Sequence, residues 1–79
     1  MLINLKLGSV GPSVMNLQTM LNHLQMSQMP LTVDGQFGPK TRSALIKFQT
    51  RNFLKPDGVA GPITAQKISS LVIQDISNP

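Results

Sequence analysis

The 79-residue sequence contains no cysteine, tryptophan or tyrosine. The absence of cysteine excludes disulfides, thiolate nucleophiles and cysteine-ligated zinc. The acidic residues are three aspartates with no glutamate, and the one histidine is His23, which we expect to be a solvated surface residue. A carboxylate pair for glycoside hydrolysis or a cluster of metal ligands therefore has few residues to draw on. We expect no catalytic residue, no metal and no cofactor.

The length and composition predict one small folded domain. A chain of 79 residues buries only about 60% of its unfolded surface and relies on a single core. Hydrophobic residues make up 41% of it and charged residues 13%, which is typical of a globular protein. No apolar run approaches the ~18 residues of a membrane span, and the opening MLINLKLG is too short and too polar for a secretory signal. The sequence predicts no membrane partner and no signal peptide in this chain.

Three Gly-Pro pairs, at 11–12, 38–39 and 61–62, predict the starts of three helices, because proline suits the first helical position and glycine is accepted at the N-cap. Apolar residues recur at helical spacing after each pair. The residues predicted to face the core are Val14, Leu17, Met20, Leu21 and Leu24 in the first helix, Thr41, Ala44, Leu45 and Phe48 in the second, and Ala65, Ile68, Leu71 and Val72 in the third. We expect the first helix to end near Gln25 or Met26 and the second around Asn52. The predicted fold is all-α, a compact three-helix bundle with its core at about 5–72 and a tail or linker at 73–79.

The phrase DGQFGPKT at residues 34–41 returns as DGVAGPIT at residues 57–64. In each copy the aspartate is predicted to accept backbone hydrogen bonds in a tight turn, and the glycine after it to take a positive φ. The threonine at the third helical position is expected to turn its hydroxyl back to the loop and its methyl to the core. We interpret the repeat as one turn-to-helix connector used twice, so Asp34 and Asp57 are structural residues rather than a catalytic pair.

Three stretches together carry a resemblance to a known family: LKLGSVGPSVMNLQTML, VDGQFGPKTRSALIKFQ and DGVAGPIT. From about Leu5 to Leu71 the chain resembles the peptidoglycan-binding domain family, the small three-helix modules attached to bacterial and phage cell-wall hydrolases such as endolysins. Members often have a glycine after the first helix, and a Tyr or Gly-Leu pair where this chain has Asn52-Phe53-Leu54. The loops beside a ligand are therefore expected to differ in shape.

The resemblance implies a function without catalysis. It implies attachment to peptidoglycan, which targets an associated wall hydrolase and raises its effective concentration at the polymer. The partners implied are a peptidoglycan glycan strand or stem peptide and a tethered catalytic domain. The site of action implied is the cell wall or the periplasm.

Basic residues are concentrated around the second predicted helix. Five of the seven lie between positions 40 and 55, and on the helix Lys40, Lys47 and Arg51 fall within ~40° of one another. An ordinary solvated face and the attraction of stem-peptide carboxylates or wall phosphates both explain this stripe. We predict that ligand binding centres on the loop before this helix and on the helix itself. The predicted ligand-binding residues are Gln36, Phe37, Arg42, Gln49, Arg51 and Asn52.

Several apolar residues leave alternatives open. Phe37 either contacts the ligand or plugs the core under the turn, and Phe53 is expected to pack at the end of the second helix. Ile46 and Ile63 lie off the core stripes, which favours a protein–protein interaction module without wall affinity as the alternative function. A basic nucleic-acid binder would need base-reading residues on the second helix, which has few, so no nucleic-acid partner is predicted.

Overall fold

A computed structural model of the chain describes residues 4–77, with side chains described for residues 4–73. Three α-helices account for most of this range: α1 (Pro12–His23), α2 (Pro39–Arg51) and α3 (Pro62–Ser77). The predicted all-α, three-helix fold is confirmed. Over residues 4–77, each helix is too short or too polar to cross a bilayer.

Each helix starts at the proline of a Gly-Pro pair, as the sequence predicts. Gly11 precedes α1 with a φ of 124°, a backbone conformation in which only glycine is free of a steric penalty. Gly38 precedes α2 in an extended conformation instead. The proline at the first helical position loses nothing, because the N–H that it lacks would have had no partner within the helix.

The first helix ends two residues before the nearer predicted end, at His23, with Leu24 as its C-cap. The next residue, Gln25, has a φ of 56°. Its N–H donates to the Asn22 carbonyl at 3.0 Å, and the Met26 N–H donates to the Leu21 carbonyl at 3.1 Å. This pair of bonds is the Schellman motif, which closes a helix by placing one residue in the left-handed region.

The second helix ends in the same motif, with Asn52 as its C-cap. Phe53 has a φ of 59° and donates its N–H to the Thr50 carbonyl at 3.3 Å, while the Leu54 N–H donates to the Gln49 carbonyl at 2.8 Å. The motif turns Leu54 toward the core and leaves Phe53 outside, 96% exposed. The prediction that Phe53 packs at the helix end is therefore wrong. A non-glycine residue in this conformation costs about 1–2 kcal/mol.

The core lies between the three helices and the connectors that precede α2 and α3. Every residue predicted to face the core from α1 and α2 is buried or half-buried, and so are those of α3, with Ile68 fully buried. Phe37 is also in the core, 3% exposed. The fully buried apolar residues of largest volume are Phe48, Leu21, Leu45, Ile68 and Val14.

The segment before α1 forms backbone hydrogen bonds with both connectors. Leu5 and Ala60 exchange two backbone hydrogen bonds, at 3.2 and 2.8 Å. Phe37 donates its N–H to the Ser9 carbonyl at 2.9 Å and accepts from the Gly8 N–H at 3.0 Å. Phe37 and Ala60 occupy the same position in the two copies of the repeat, so the N-terminal segment contacts both copies at equivalent points.

The third helix continues into the range 73–79, which the sequence predicts to be a tail or linker. It runs to Ser77, because no glycine or proline interrupts the chain between Pro62 and Pro79. The last two residues of the predicted tail, 78 and 79, lie outside the described residues.

Candidate functional site

The side chain of Gln18, on α1, holds the first Asp-Gly turn. Gln18 is 1% exposed, and its Nε2 lies 3.0 to 3.1 Å from Asp34 Oδ1, the Gln36 carbonyl and Thr41 Oγ1. Its Oε1 accepts the Gly35 N–H at 3.0 Å. Since an amide has only two N–H bonds, the three acceptors share them. One buried side chain thus joins α1, the turn and the start of α2.

The second Asp-Gly turn is held in the same way by Gln49, on α2. Gln49 is 0% exposed, and its Nε2 lies 3.0 Å from Asp57 Oδ1, 3.0 Å from the Val59 carbonyl and 3.3 Å from Thr64 Oγ1. Its Oε1 accepts the Gly58 N–H at 3.0 Å. The four partners occupy the positions that Asp34, Gln36, Thr41 and Gly35 occupy in the first turn. The two connectors are therefore the same hydrogen-bonded unit.

The two turn aspartates act as acceptors, as predicted. Asp34 Oδ1 accepts the Gln36 N–H at 2.9 Å, and this bond, followed by the one from Gln18, lowers the pKa of the Asp34 carboxyl below its usual value. The bond from the Val59 N–H, also 2.9 Å, is the main cause of the lowered pKa of Asp57, with a smaller contribution from Gln49. Each donor favours the charged carboxylate.

The glycines of the two turns also behave as predicted. Gly35 has a φ of 75° and Gly58 a φ of 72°. Both threonine side chains are buried, and their hydroxyls contact the glutamine amides described above. No buried side-chain nitrogen or oxygen among the described residues lacks a hydrogen-bond partner, so both clusters are fully satisfied.

Sequence reasoning missed the part that these glutamines play. The sequence predicts ligand binding for Gln49, and it predicts no structural role for Gln18, which lies within one of the stretches that carry the family resemblance. Each glutamine directly follows a core residue, Leu17 or Phe48, which is the one local signal. Alignment of the two copies of the repeat does not reveal that the glutamines are equivalent, because Gln18 precedes its aspartate by 16 residues and Gln49 precedes its own by 8.

Two open grooves adjoin the first turn. The first-turn groove, of about 400 Å³, is lined by Gln18, Leu31, Thr32, Asp34, Gln36, Gly38, Pro39, Lys40 and Thr41. The loop groove, of about 660 Å³, is lined by Ser27, Gln28, Met29, Pro30, Leu31, Thr32, Lys40 and Lys47. They share Leu31, Thr32 and Lys40, so they form one continuous surface. Its charged groups are two ammonium groups and the Asp34 carboxylate.

A third groove lies beside the second turn. This second-turn groove, of about 440 Å³, is lined by Asn4, Phe53, Leu54, Lys55, Asp57, Val59, Gly61, Pro62, Ile63 and Thr64. It is related to the first-turn groove by the repeat. The polar Gln36 and Lys40 of the first copy are replaced here by the apolar Val59 and Ile63, while Asn4 and Lys55 supply polar groups at other positions.

The six predicted ligand-binding residues do not converge on one site. Phe37 and Gln49 are buried in the core and in the second-turn cluster, so their side chains offer no contact surface. Gln36 lines the first-turn groove at the start of α2. Arg51 is at the other end of this 13-residue helix, about 18 Å away by helical rise.

The other two predicted residues lie apart from that groove. Arg42 covers the second turn, where its Nε is 3.0 Å from the position that a Cβ on Gly58 would occupy. The Asn52 amide donates to the Phe48 carbonyl at 2.9 Å, which satisfies the end of α2. Ligand contact by these residues stays a prediction.

Comparison with known proteins gives one consistent family. The family model described as "Putative peptidoglycan binding domain" matches residues 10–68. A zinc D-Ala-D-Ala carboxypeptidase of Streptomyces albus G is 41% identical over 68 residues, which are 86% of this chain and 27% of that protein. The crystal structure of the SleB N-terminal domain has a TM-score of 0.82 at 33% identity, covering 87% of this chain and 92% of that one. The crystal structure of a Burkholderia AP3 phage endolysin has a TM-score of 0.76 at 36% identity, covering 84% and 24%.

The three helices and the two glutamine-held turns define a small all-α module. The chain belongs to the peptidoglycan-binding domain family, as its sequence motifs predict. It spans less than half the length of the curated relatives that it matches, 27% and 48% for two of them. The family is one of binding domains, and the carboxypeptidase and the endolysin are each much longer than this chain.

Proposed function

We propose that this chain is a non-catalytic module that binds peptidoglycan and holds an associated wall hydrolase on its substrate. Membership of the family supports it, as do the names of the carboxypeptidase and endolysin relatives. The observation that carries the proposal is the continuous surface formed by the first-turn groove and the loop groove, with Lys40 where they meet and Lys47 beyond it. An open surface that carries charged groups suits one stretch of a polymer better than an enclosed small molecule.

The chemistry of this surface matches a peptide stem. Lys40 and Lys47 are both exposed and lie two helical turns apart, so their ammonium groups favour the carboxylates of stem peptides through long-range and charge-assisted contacts. Gln36 and Thr32 are exposed on the same surface and supply hydrogen-bonding groups of both kinds. Arg51 follows Lys47 by one turn on the same helix face and extends the positive charge.

Attachment to a polymer explains why a shallow surface is sufficient. The combined grooves have no exposed aromatic side chain among their lining residues, so one contact is expected to be weak. A repeating wall lattice and a linked catalytic domain raise the effective concentration of each site for the next binding event. Action at the cell wall follows from this proposal.

Co-sedimentation with purified sacculi, stripped of teichoic acids and proteins, tests the proposal. The variant is Lys40→Gln with Lys47→Gln, and the matched control is Lys6→Gln with Lys67→Gln, which removes the same charge from exposed positions elsewhere. We expect the parent and the control to pellet saturably and the variant to lose about tenfold in affinity, equivalent to about 1.4 kcal/mol. If the variant and the control lose affinity equally, and modest salt abolishes pelleting of the parent, the binding is a nonspecific charge effect. This result would contradict the proposal.

A further inference from the structure

The second-turn groove holds the most exposed aromatic side chain of the described residues, and we infer that it is a second ligand site that packs a pyranose ring of the glycan strand against Phe53. The inference rests on the proposed function and deepens it. It adds a site for the sugar of the polymer to the site for the peptide stem.

Phe53 carries two unfavourable features at once. Its φ of 59° lies in the region that favours glycine, and its ring is 96% exposed. The left-handed backbone of Phe53 closes α2, but the hydrogen bonds of that closure use backbone atoms alone, so the exposed ring contributes nothing to them. Gln25, the equivalent residue after α1, has the same backbone conformation but a polar side chain. A strained residue with an exposed aromatic ring in a groove points to a binding role.

The rest of the groove complements a sugar. Ile63 is 73% exposed and, with Phe53, supplies apolar surface for the C–H groups on one face of a pyranose ring. Asn4, Lys55 and Asp57 also line the groove. They provide the amide, ammonium and carboxylate groups that hydrogen-bond with hydroxyls and with an N-acetyl amide.

The size of the groove favours a sugar over a folded protein partner. Its volume of about 440 Å³ lies within the roughly 300–1,000 Å³ of small-ligand sites. Its ten lining residues are fewer than the roughly 20–30 residues that each side of a stable protein interface contributes. Its position, equivalent by the repeat to the first-turn groove, suits a second unit of the same polymer.

The test uses the two Schellman positions as matched variants. Phe53→Gly and Gln25→Gly both relieve the left-handed strain, so each is expected to raise the Tm by a few °C, on the order of 4 °C. Only Phe53→Gly is expected to weaken binding to sacculi, by about three- to tenfold. Phe53→Tyr keeps the ring and is expected to bind like the parent. Because Phe53→Gly is expected to be the more stable protein, a loss of affinity cannot come from unfolding.

A soluble probe separates this inference from the proposed function. We would titrate the 15N-labelled protein with a peptide-free oligosaccharide of N-acetylglucosamine and follow the amides of Phe53, Ile63 and Asn4. Saturable shifts there, lost in Phe53→Gly, support the inference whatever the sacculus result. Binding to sacculi without these shifts, and with equal affinity in Phe53→Gly and Gln25→Gly, leaves the proposed function standing and overturns the inference.

Discussion

At the first turn, Gln18 reaches from α1 to Asp34, and at the second turn, Gln49 reaches from α2 to Asp57. Each amide meets the same set of partners at nearly the same distances. On the outside the two turns differ, since Lys40 stands where Ile63 stands in the other copy. The comparison teaches that folding constrains the inward groups of the connector and leaves the outward positions free to differ in charge and polarity.

The chain between each glutamine and its turn also differs in length. The chain from Gln18 to Asp34 is eight residues longer than the chain from Gln49 to Asp57, as the spacings of 16 and 8 show. Part of the extra chain is the segment from Ser27 to Pro30, which forms one wall of the loop groove. The first turn therefore has a larger surface beside it, although the hydrogen-bonded unit is the same.

Replacing either glutamine is expected to have the largest effect on stability. Gln18→Leu leaves the buried Gly35 N–H and Thr41 hydroxyl without their partner, and Gln49→Leu does the same at the second turn. Each buried unpaired group costs about 1–3 kcal/mol, so each variant should lose about 2–6 kcal/mol. Globular stability of about 0.05–0.15 kcal/mol per residue makes this a large share of the total.

Urea unfolding followed by circular dichroism measures both losses. The equivalence of the two turns predicts values that agree within about 1 kcal/mol, given the usual spread of such contributions. A large loss for one glutamine and a negligible loss for the other would break the comparison.

Substitutions of the two turn glycines are expected to cost different amounts of stability, whereas substitutions of the two glutamines are expected to cost similar amounts. Gly35→Ala and Gly58→Ala both place an alanine at positive φ, at a cost of about 1–2 kcal/mol. A Cβ at Gly35 would lie 3.2 Å from the Gly11 carbonyl oxygen, which is backbone, whereas a Cβ at Gly58 meets only the Arg42 side chain. Because a flexible exposed side chain moves easily, we expect Gly35→Ala to cost about 1 kcal/mol more.

The same urea measurements check this difference. Equal losses for the two alanine variants would mean that the Gly11 carbonyl shifts as readily as Arg42. The asymmetry proposed for the backbone around the first turn would then be wrong.

Acidification is expected to have a smaller effect on stability. The folded-state pKa of both Asp34 and Asp57 is lowered, so their contribution to stability is complete above the unfolded pKa of about 3.9 and is lost as the pH falls through the folded pKa. The parent should therefore lose Tm between about pH 5 and pH 2. The double variant Asp34→Asn with Asp57→Asn should start with a lower Tm at neutral pH and lose less on acidification. Parallel pH curves for the two proteins would contradict this account.

Local signals made much of the fold predictable. The Gly-Pro pairs mark the helix starts, and the apolar spacing identifies the core faces, because both depend on short-range geometry. The structural role of Asp34 and Asp57 as acceptors in the turns follows from turn chemistry alone. The predicted end of α1 is two residues too late, because Gln25 takes a positive φ without the glycine that usually signals a Schellman motif.

The grooves could not be predicted because they depend on tertiary contacts. Gln49 has a polar side chain of the kind that usually lies on the surface. It is buried only because the second turn folds over it. The sequence allows Phe37 to be a ligand contact or a core residue and favours the core, where the structure places it with its N–H bonded to the Ser9 carbonyl. The exposure of Phe53 follows from the helix-closing turn, which no local apolar pattern reveals.

The most direct test of the central claim is a 15N heteronuclear NMR titration with a soluble peptidoglycan fragment that retains its stem peptide. We predict saturable shifts for the amides of Thr32, Gln36 and Lys40, with no change at Lys67 on α3. These shifts should weaken in the Lys40→Gln, Lys47→Gln variant and persist in the Lys6→Gln, Lys67→Gln control. Absence of saturable shifts, or shifts confined to residues away from the first-turn groove and the loop groove, would contradict the account.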